Sequence, residues 1–92
     1  MRSTITSSGL TLSFVDHGQG PAFIFQHGLG ANANQPLEVM PETVRKIVLE
    51  CRGHGSSELG PEDQLSIKHF SRDLSALIKH LNLSRPIIGG IS

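Results

Sequence analysis

Apolar and polar residues alternate near the start of the chain. Every second residue from Leu10 to Phe14 is apolar, which predicts a strand over residues 10–16 with one buried face. A serine-serine-glycine turn precedes this strand and joins it to a shorter predicted strand over residues 4–6. The chain is therefore predicted to begin with a β-hairpin.

Short, continuous apolar runs follow the hairpin. They predict strands buried on both faces, as in a parallel sheet covered by helices, at residues 22–26, 47–49 and 86–88. Pro36 and Pro41 confine a helix between the first two runs to about residues 35–40.

A longer helix is predicted before the last run, with Ser66 as its N-cap. Its apolar residues fall on one stripe, which we expect to pack on the sheet as core: Ile67, Phe70, Leu74, Leu77, Ile78 and Leu81. The order hairpin, strand, short helix, strand, long helix, strand predicts an α/β fold with a mostly parallel sheet.

Composition removes several function classes. The 92 residues include eight basic and eight acidic side chains. The net charge is therefore zero and does not favour binding to nucleic acid or to an anionic membrane surface. One cysteine forms no internal disulfide, and no apolar run approaches the length of a membrane-spanning helix. No signal-peptide pattern is visible at the N-terminus. We therefore expect a soluble, cytoplasmic chain that needs no cofactor and binds neither nucleic acid nor membrane.

Glycine-rich segments follow each of the three apolar strands. They are Gln26-His27-Gly28-Leu29-Gly30, the segment 50–57 with sequence Glu-Cys-Arg-Gly-His-Gly-Ser-Ser, and Gly89-Gly90-Ile91-Ser92. In open α/β sheets, ligands and catalytic groups gather at the carboxyl ends of the strands, where these segments are predicted to lie.

In this order, the three segments resemble the α/β-hydrolase fold superfamily over nearly all of the chain. The first resembles the family's His-Gly loop, and the second its Asp-x-Arg-Gly-x-Gly-x-Ser segment, with Glu50 in place of the usual aspartate. The third resembles the first part of the nucleophile elbow, Gly-x-Ser-x-Gly. The resemblance implies the N-terminal portion of an α/β-hydrolase fold, with residues 1–92 as an incomplete part of one domain.

The resemblance also implies a reaction and the residues that perform it. Ser92 would attack the acyl carbon of a small ester or lactone, from an elbow formed with Gly90 and Ile91. The Leu29 amide in the His27-Gly28 loop would be one oxyanion donor. His27 is expected to brace this loop, and Arg52 to hold the corner after the next strand, with a contact to a substrate carboxylate as the alternative role of Arg52.

The family places its triad acid and histidine after the serine, and none of His17, His27, His54, His69 and His80 lies there. We therefore expect the 92 residues alone to be inactive and to need the remaining hydrolase polypeptide or a complementing chain.

Other interpretations stay open at this stage. Gly28-x-Gly30-x-x-Ala33, followed by Glu50, satisfies a dinucleotide-binding fingerprint. A truncated fragment that acts only by association is a second alternative, since its last strand and long helix would expose apolar surface. Cys51, His54 and His27 do not have zinc-ligand spacing, so no metal site is predicted.

Overall fold

The computed structural model describes residues 2–90, which form one mixed sheet with a helix on each face. The elements are β1 Arg2–Ser7, β2 Leu10–His17, β3 Ala22–Gln26, α1 Asn34–Val39, β4 Arg45–Leu49, a 3₁₀ turn at Glu62–Gln64, α2 Ile67–His80 and β5 Ile87–Gly90. The predicted catalytic Ser92 and its neighbour Ile91 lie outside the described residues.

The strand order in the sheet is β1-β2-β4-β3-β5. Strands β1, β2 and β4 pair antiparallel, whereas β3 pairs parallel with both β4 and β5. The parallel pairs place the carboxyl ends of β3, β4 and β5 at one edge of the sheet. This is the α/β architecture that the sequence pattern predicts.

Two apolar clusters fill the space between the sheet and its helices. Leu77 of α2 packs with side chains from one face of the sheet, including Leu12, Ile24 and Ile47. On the other face, Val48 packs in a cluster with Ala33 and Met40, which flank α1. Successive residues of β4 therefore enter different clusters, which explains why this strand appears as a continuous apolar run.

Polar and glycine residues extend strands β1, β4 and β5 beyond the predicted bounds. Strand β1 spans Arg2–Ser7 rather than 4–6, because its backbone pairs with β2 over this whole length. Strand β4 begins at Arg45 rather than at 47, because its backbone pairs with Ala22 of β3. Strand β5 runs from Ile87 through Gly90, where pairing with β3 outweighs the low strand propensity of glycine.

The predicted burial of the last strand on both faces is wrong. Ile87 and Ile88 are more than half exposed, because β5 has β3 as its only partner among residues 2–90.

The prediction that the whole α2 stripe is core is also wrong. Leu77 is fully buried, but Ile67 at the start of the helix is 81% exposed, where it lines a cavity described below.

Ser66 caps α2 as predicted, since its hydroxyl accepts the His69 N–H at 3.3 Å. Within residues 2–90, no helix combines the length and apolar character needed to cross a bilayer.

Candidate active site

A cavity of about 380 Å³ opens at the carboxyl ends of β3 and β4. Two loops meet there: the 27–33 loop, which leads from β3 to α1, and the 50–57 loop, which follows β4. The N-terminal half of α2 forms the opposite wall. The lining residues are Gln26, His27, Gly28, Leu29, Cys51, His54, Ile67, Phe70, Ser71 and Leu74.

The 27–33 loop contains a tight turn that displays the Leu29 N–H. The Ala31 N–H donates to the Gly28 carbonyl at 3.0 Å, and Gly30 has a φ of +81°, as the third position of a type II turn requires. Leu29 sits at the second position, and its side chain is 92% exposed. No acceptor within residues 2–90 takes the Leu29 N–H.

The neighbouring amide of Gly28 is already occupied. Its N–H donates to the side-chain oxygen of Gln35 on α1 at 2.6 Å. This bond ties the first residue of the turn to α1, so the Gly28 N–H is not available to a ligand, whereas the adjacent Leu29 N–H is.

His27 connects the two loops from a buried position. Its Nε2 accepts the Cys51 N–H at 3.0 Å, so the ring proton resides on Nδ1, which donates to the Gly28 carbonyl at 2.8 Å. Both nitrogens of a neutral ring are thus engaged with the backbone. The arrangement suits a bracing side chain and leaves neither nitrogen for a metal or a substrate proton.

Glu50 connects the far end of the same loop to the 50–57 loop. One carboxylate oxygen accepts the Ala33 N–H and the other the Ser56 N–H, each at 3.0 Å, and Arg2 forms an ion pair with it from β1. Burial alone would raise the pKa of Glu50, but these donors and the Arg2 charge hold it below its usual value. Gly55 makes room for this carboxylate, since a Cβ at that position would lie 2.1 Å from the Glu50 Oε2.

These contacts count against the dinucleotide alternative. The Glu50 side chain is only 2% exposed and its oxygens are occupied, so it is not free to bind a ribose. Helix α1 spans Asn34–Val39 and begins beyond the glycine turn rather than within it. The phosphate-binding helix start that the fingerprint needs is therefore missing.

Arg52 holds the corner after β4, as predicted. Its guanidinium makes two 2.8 Å hydrogen bonds to the Asp73 carboxylate on α2, and both side chains are fully buried. The Asp73 hydrogen bonds and charge raise the pKa of Arg52. Ser7 of β1 donates a further bond to Asp73 at 2.7 Å. One buried ion pair thus joins the corner, the long helix and the first strand.

Cys51 and His54 lie in the cavity wall without forming a metal site. The Cys51 sulfur accepts a hydrogen bond from the Gln26 side chain at 2.8 Å, and burial raises the pKa of its thiol. The His54 ring packs beside His27 with centroids 4.9 Å apart. In the described part of the chain, no three His, Cys, Asp or Glu side chains are grouped to hold a metal ion.

Gly90, the first residue of the predicted elbow, lies at the same edge of the sheet. Gly90 pairs with Gln26, so β5 ends level with β3. A Cβ at Gly89 would lie 3.3 Å from the Phe23 ring, so a side chain at this position would require a small shift of that ring.

The structural roles of Gln35 and Asp73 were not predicted from the sequence. Asp73 left a usable signal, since it lies three residues from Phe70 and four from Leu77 on the apolar side of α2, where a charge needs a buried partner. Gln35 left none, because its partner is a backbone amide brought near by the loop.

The chain is similar to known hydrolases over most of its length, although no family model matches it. It is 30% identical over 86 residues to the 2-(acetamidomethylene)succinate hydrolase of Mesorhizobium japonicum, covering 90% of this chain and 31% of the relative. The crystal structure of a putative aryl esterase from Burkholderia cenocepacia superposes with a TM-score of 0.86 and 27% identity. That match covers all of this chain and 37% of the esterase.

A further match shows the fold alone. The epoxide hydrolase VrEH1 from Vigna radiata has a TM-score of 0.85 at 23% identity, covering 98% of this chain and 31% of that one. The chain thus spans about a third of the proteins that it matches. The mixed sheet, the two loops at its carboxyl edge and these similarities together show that the chain has the fold of the N-terminal part of the α/β-hydrolases.

Proposed function

We propose that this chain forms the N-terminal part of a serine hydrolase that acts on small carboxylic esters or lactones. The observation that carries the proposal is the Leu29 N–H, which has no acceptor within residues 2–90 and lies beside the cavity. A donor held ready for a developing oxyanion is the feature that acyl transfer needs most. The similarity to a putative aryl esterase and to a succinate-derivative hydrolase supports the same reaction class.

The bracing of the 27–33 loop supports a donor of fixed orientation. Gln35 holds Gly28, His27 bonds to Cys51, and Glu50 holds Ala33. The turn between these anchors presents Leu29 without needing to rearrange during the reaction. Electrostatic stabilisation is strongest when the donor is oriented in advance.

In the proposed mechanism, Ser92 attacks the acyl carbon from an elbow formed with Gly90 and Ile91. The serine proton passes to a histidine supplied by further polypeptide, and the carbonyl oxygen becomes an oxyanion bound by the Leu29 N–H and a second donor. Collapse of this tetrahedral intermediate expels the alcohol, which takes the proton from the histidine. Water then attacks the acyl-serine by the same route, releasing the acid and restoring Ser92.

We also propose that residues 1–92 are completed by further hydrolase polypeptide, in the same or a second chain. The half-exposed Ile87 and Ile88 on a strand with one partner among residues 2–90 support this proposal. That polypeptide would supply the triad acid and histidine, so the 92 residues alone are expected to be inactive. An interaction fragment without catalysis is the competing proposal.

Substitution of Leu29 tests the oxyanion role. Leu29→Pro removes the N–H, and proline suits the second position of a type II turn, so the turn is expected to survive. In a catalytically competent polypeptide that contains this chain, kcat for p-nitrophenyl esters should fall by about 100-fold or more. Leu29→Ala, which keeps the N–H, is the matched control and should retain most of the activity.

Substitution of Ser92 tests the nucleophile in the same assay. Ser92→Ala should abolish turnover and labelling by a fluorophosphonate, and the isolated 92 residues should show no turnover. Activity that survives Ser92→Ala would refute the nucleophile, and an equal loss in both Leu29 variants would refute the donor. Absence of turnover and labelling in every polypeptide that contains this chain would favour the interaction fragment.

A further inference from the structure

The cavity beside Leu29 has apolar walls built largely by α2. In the N-terminal half of this helix the apolar stripe is not fully buried against the sheet, and its residues Ile67, Phe70 and Leu74 line the cavity. Leu29 lines it from the opposite side. A group bound here would lie directly beside the proposed oxyanion donor.

The polar side chains at the base of the cavity are satisfied by one another. The Gln26 amide donates to the Cys51 sulfur at 2.8 Å and to the His27 carbonyl at 3.2 Å. Both His27 nitrogens bond to backbone groups, and the raised pKa of Cys51 keeps its thiol uncharged. The His54 Nδ1 donates to the Arg52 carbonyl at 3.2 Å, so the His54 Nε2 and the Ser71 hydroxyl are among the side-chain groups of the lining that can still bond to a ligand.

No Lys, Arg, Asp or Glu side chain within residues 2–90 lines the cavity. Arg52, which follows Cys51 in the chain, is fully buried and spends its guanidinium on Asp73. A carboxylate bound in this cavity would lose water without gaining a Lys or Arg partner from the described residues. Of the two histidines that line it, His54 has a ring nitrogen left to take up a proton, whereas both His27 nitrogens bond to backbone groups. Burying a charge without a close partner is costly.

We propose that this cavity binds an uncharged, apolar group of the substrate, which selects neutral esters over esters that bear a carboxylate. This specificity rests on the proposed ester hydrolysis and names its substrate class. The volume of about 380 Å³ falls at the lower end of small-molecule sites, which suits a short alkyl or aryl group.

Two esters of nearly equal size test the selection in the catalytically competent polypeptide. Phenyl butyrate ends in a methyl group, whereas phenyl hemisuccinate ends in a carboxylate. We expect kcat/KM to favour phenyl butyrate by at least about tenfold, because the carboxylate finds no partner. Equal values, or a preference for the hemisuccinate, would overturn the inference and leave the proposed hydrolysis standing.

A cation placed at the cavity wall should weaken the selection. Ile67→Lys is suited to this test because Ile67 is 81% exposed and lines the cavity. It should reduce the preference for phenyl butyrate by about tenfold. Leu65→Lys is the matched control, since Leu65 is 41% exposed, lies two residues away and does not line the cavity. If both variants change the ratio equally, the cavity does not set the preference.

Binding of stable ketones separates this inference from the proposed catalysis. Valerophenone and 4-benzoylbutyrate are unreactive ketones that match the two esters in size and in their methyl or carboxylate end, and NMR titration of the Phe70 and Leu74 signals reports their binding. Tighter binding of valerophenone by about tenfold or more would support the cavity assignment even if no ester were hydrolysed. Equal binding, or no shift of either signal with valerophenone, would overturn it.

Discussion

Two arginine–aspartate ion pairs in this chain have the same bidentate geometry but different burial. Arg52 and Asp73 are joined by two 2.8 Å hydrogen bonds, with side chains 0% and 1% exposed. Arg45 and Asp16 are joined by bonds of 2.8 and 2.6 Å, with side chains 31% and 25% exposed. Asp73→Asn and Asp16→Asn therefore make the same chemical change in a buried and in a partly solvated setting.

The two variants are expected to lose different amounts of the free energy of unfolding. Asp73→Asn leaves the Arg52 charge buried without a counterion, which costs about 3–5 kcal/mol. Asp16→Asn should cost about 1 kcal/mol or less, because water solvates the released guanidinium. At the usual stability per residue, 92 residues correspond to a free energy of unfolding of about 5–14 kcal/mol, so the first variant loses a large share of the stability of this part of the fold.

Urea unfolding followed by far-UV circular dichroism measures both costs, since the chain has no Trp or Tyr for fluorescence. The double variant Arg52→Met/Asp73→Leu removes both charges and should recover much of the loss. Costs of Asp73→Asn and Asp16→Asn within about 1 kcal/mol of each other would refute the reasoning from burial. A double variant no more stable than Asp73→Asn would show that an unpaired charge is not the cause.

Two further predictions concern the loops around the cavity. Gly30→Ala should lower the free energy of unfolding by about 1–2 kcal/mol for its positive φ alone, because a Cβ there meets nothing within 4 Å. Gly55→Ala should lower it by at least about 2 kcal/mol more, because its Cβ collides with Glu50. Equal losses in urea unfolding would contradict this. Glu50 has a folded pKa below its ordinary 4.5, so its contribution to stability is present above about pH 4.5 and is lost as pH falls toward the folded pKa. Urea midpoints measured between about pH 5 and pH 3 should fall less steeply for Glu50→Gln than for the unchanged chain. Glu58→Gln, which removes an exposed carboxylate that accepts the Thr11 N–H, is the matched control and should change this fall less.

Local patterns predicted most of the elements with accurate bounds. Strand β3 matches its prediction, and α2 begins after Ser66 as expected, because a capping hydroxyl and an apolar stripe are properties of neighbouring residues. The predicted corner role of Arg52 is also confirmed. The roles of Ser92 and Leu29 stay predictions.

The amino-acid sequence by itself determined the class of fold, the order of the elements and the glycine-rich segments at the strand ends, since periodicity and turn residues act over short distances. Only the tertiary structure decided which partners those segments find. Glu50 reaches Arg2 across 48 positions and Arg52 reaches Asp73 across 21, distances over which no local pattern operates. The exposure of Ile67 likewise depends on how α2 packs in the tertiary structure, where a residue that the sequence predicted to be core lines the cavity wall.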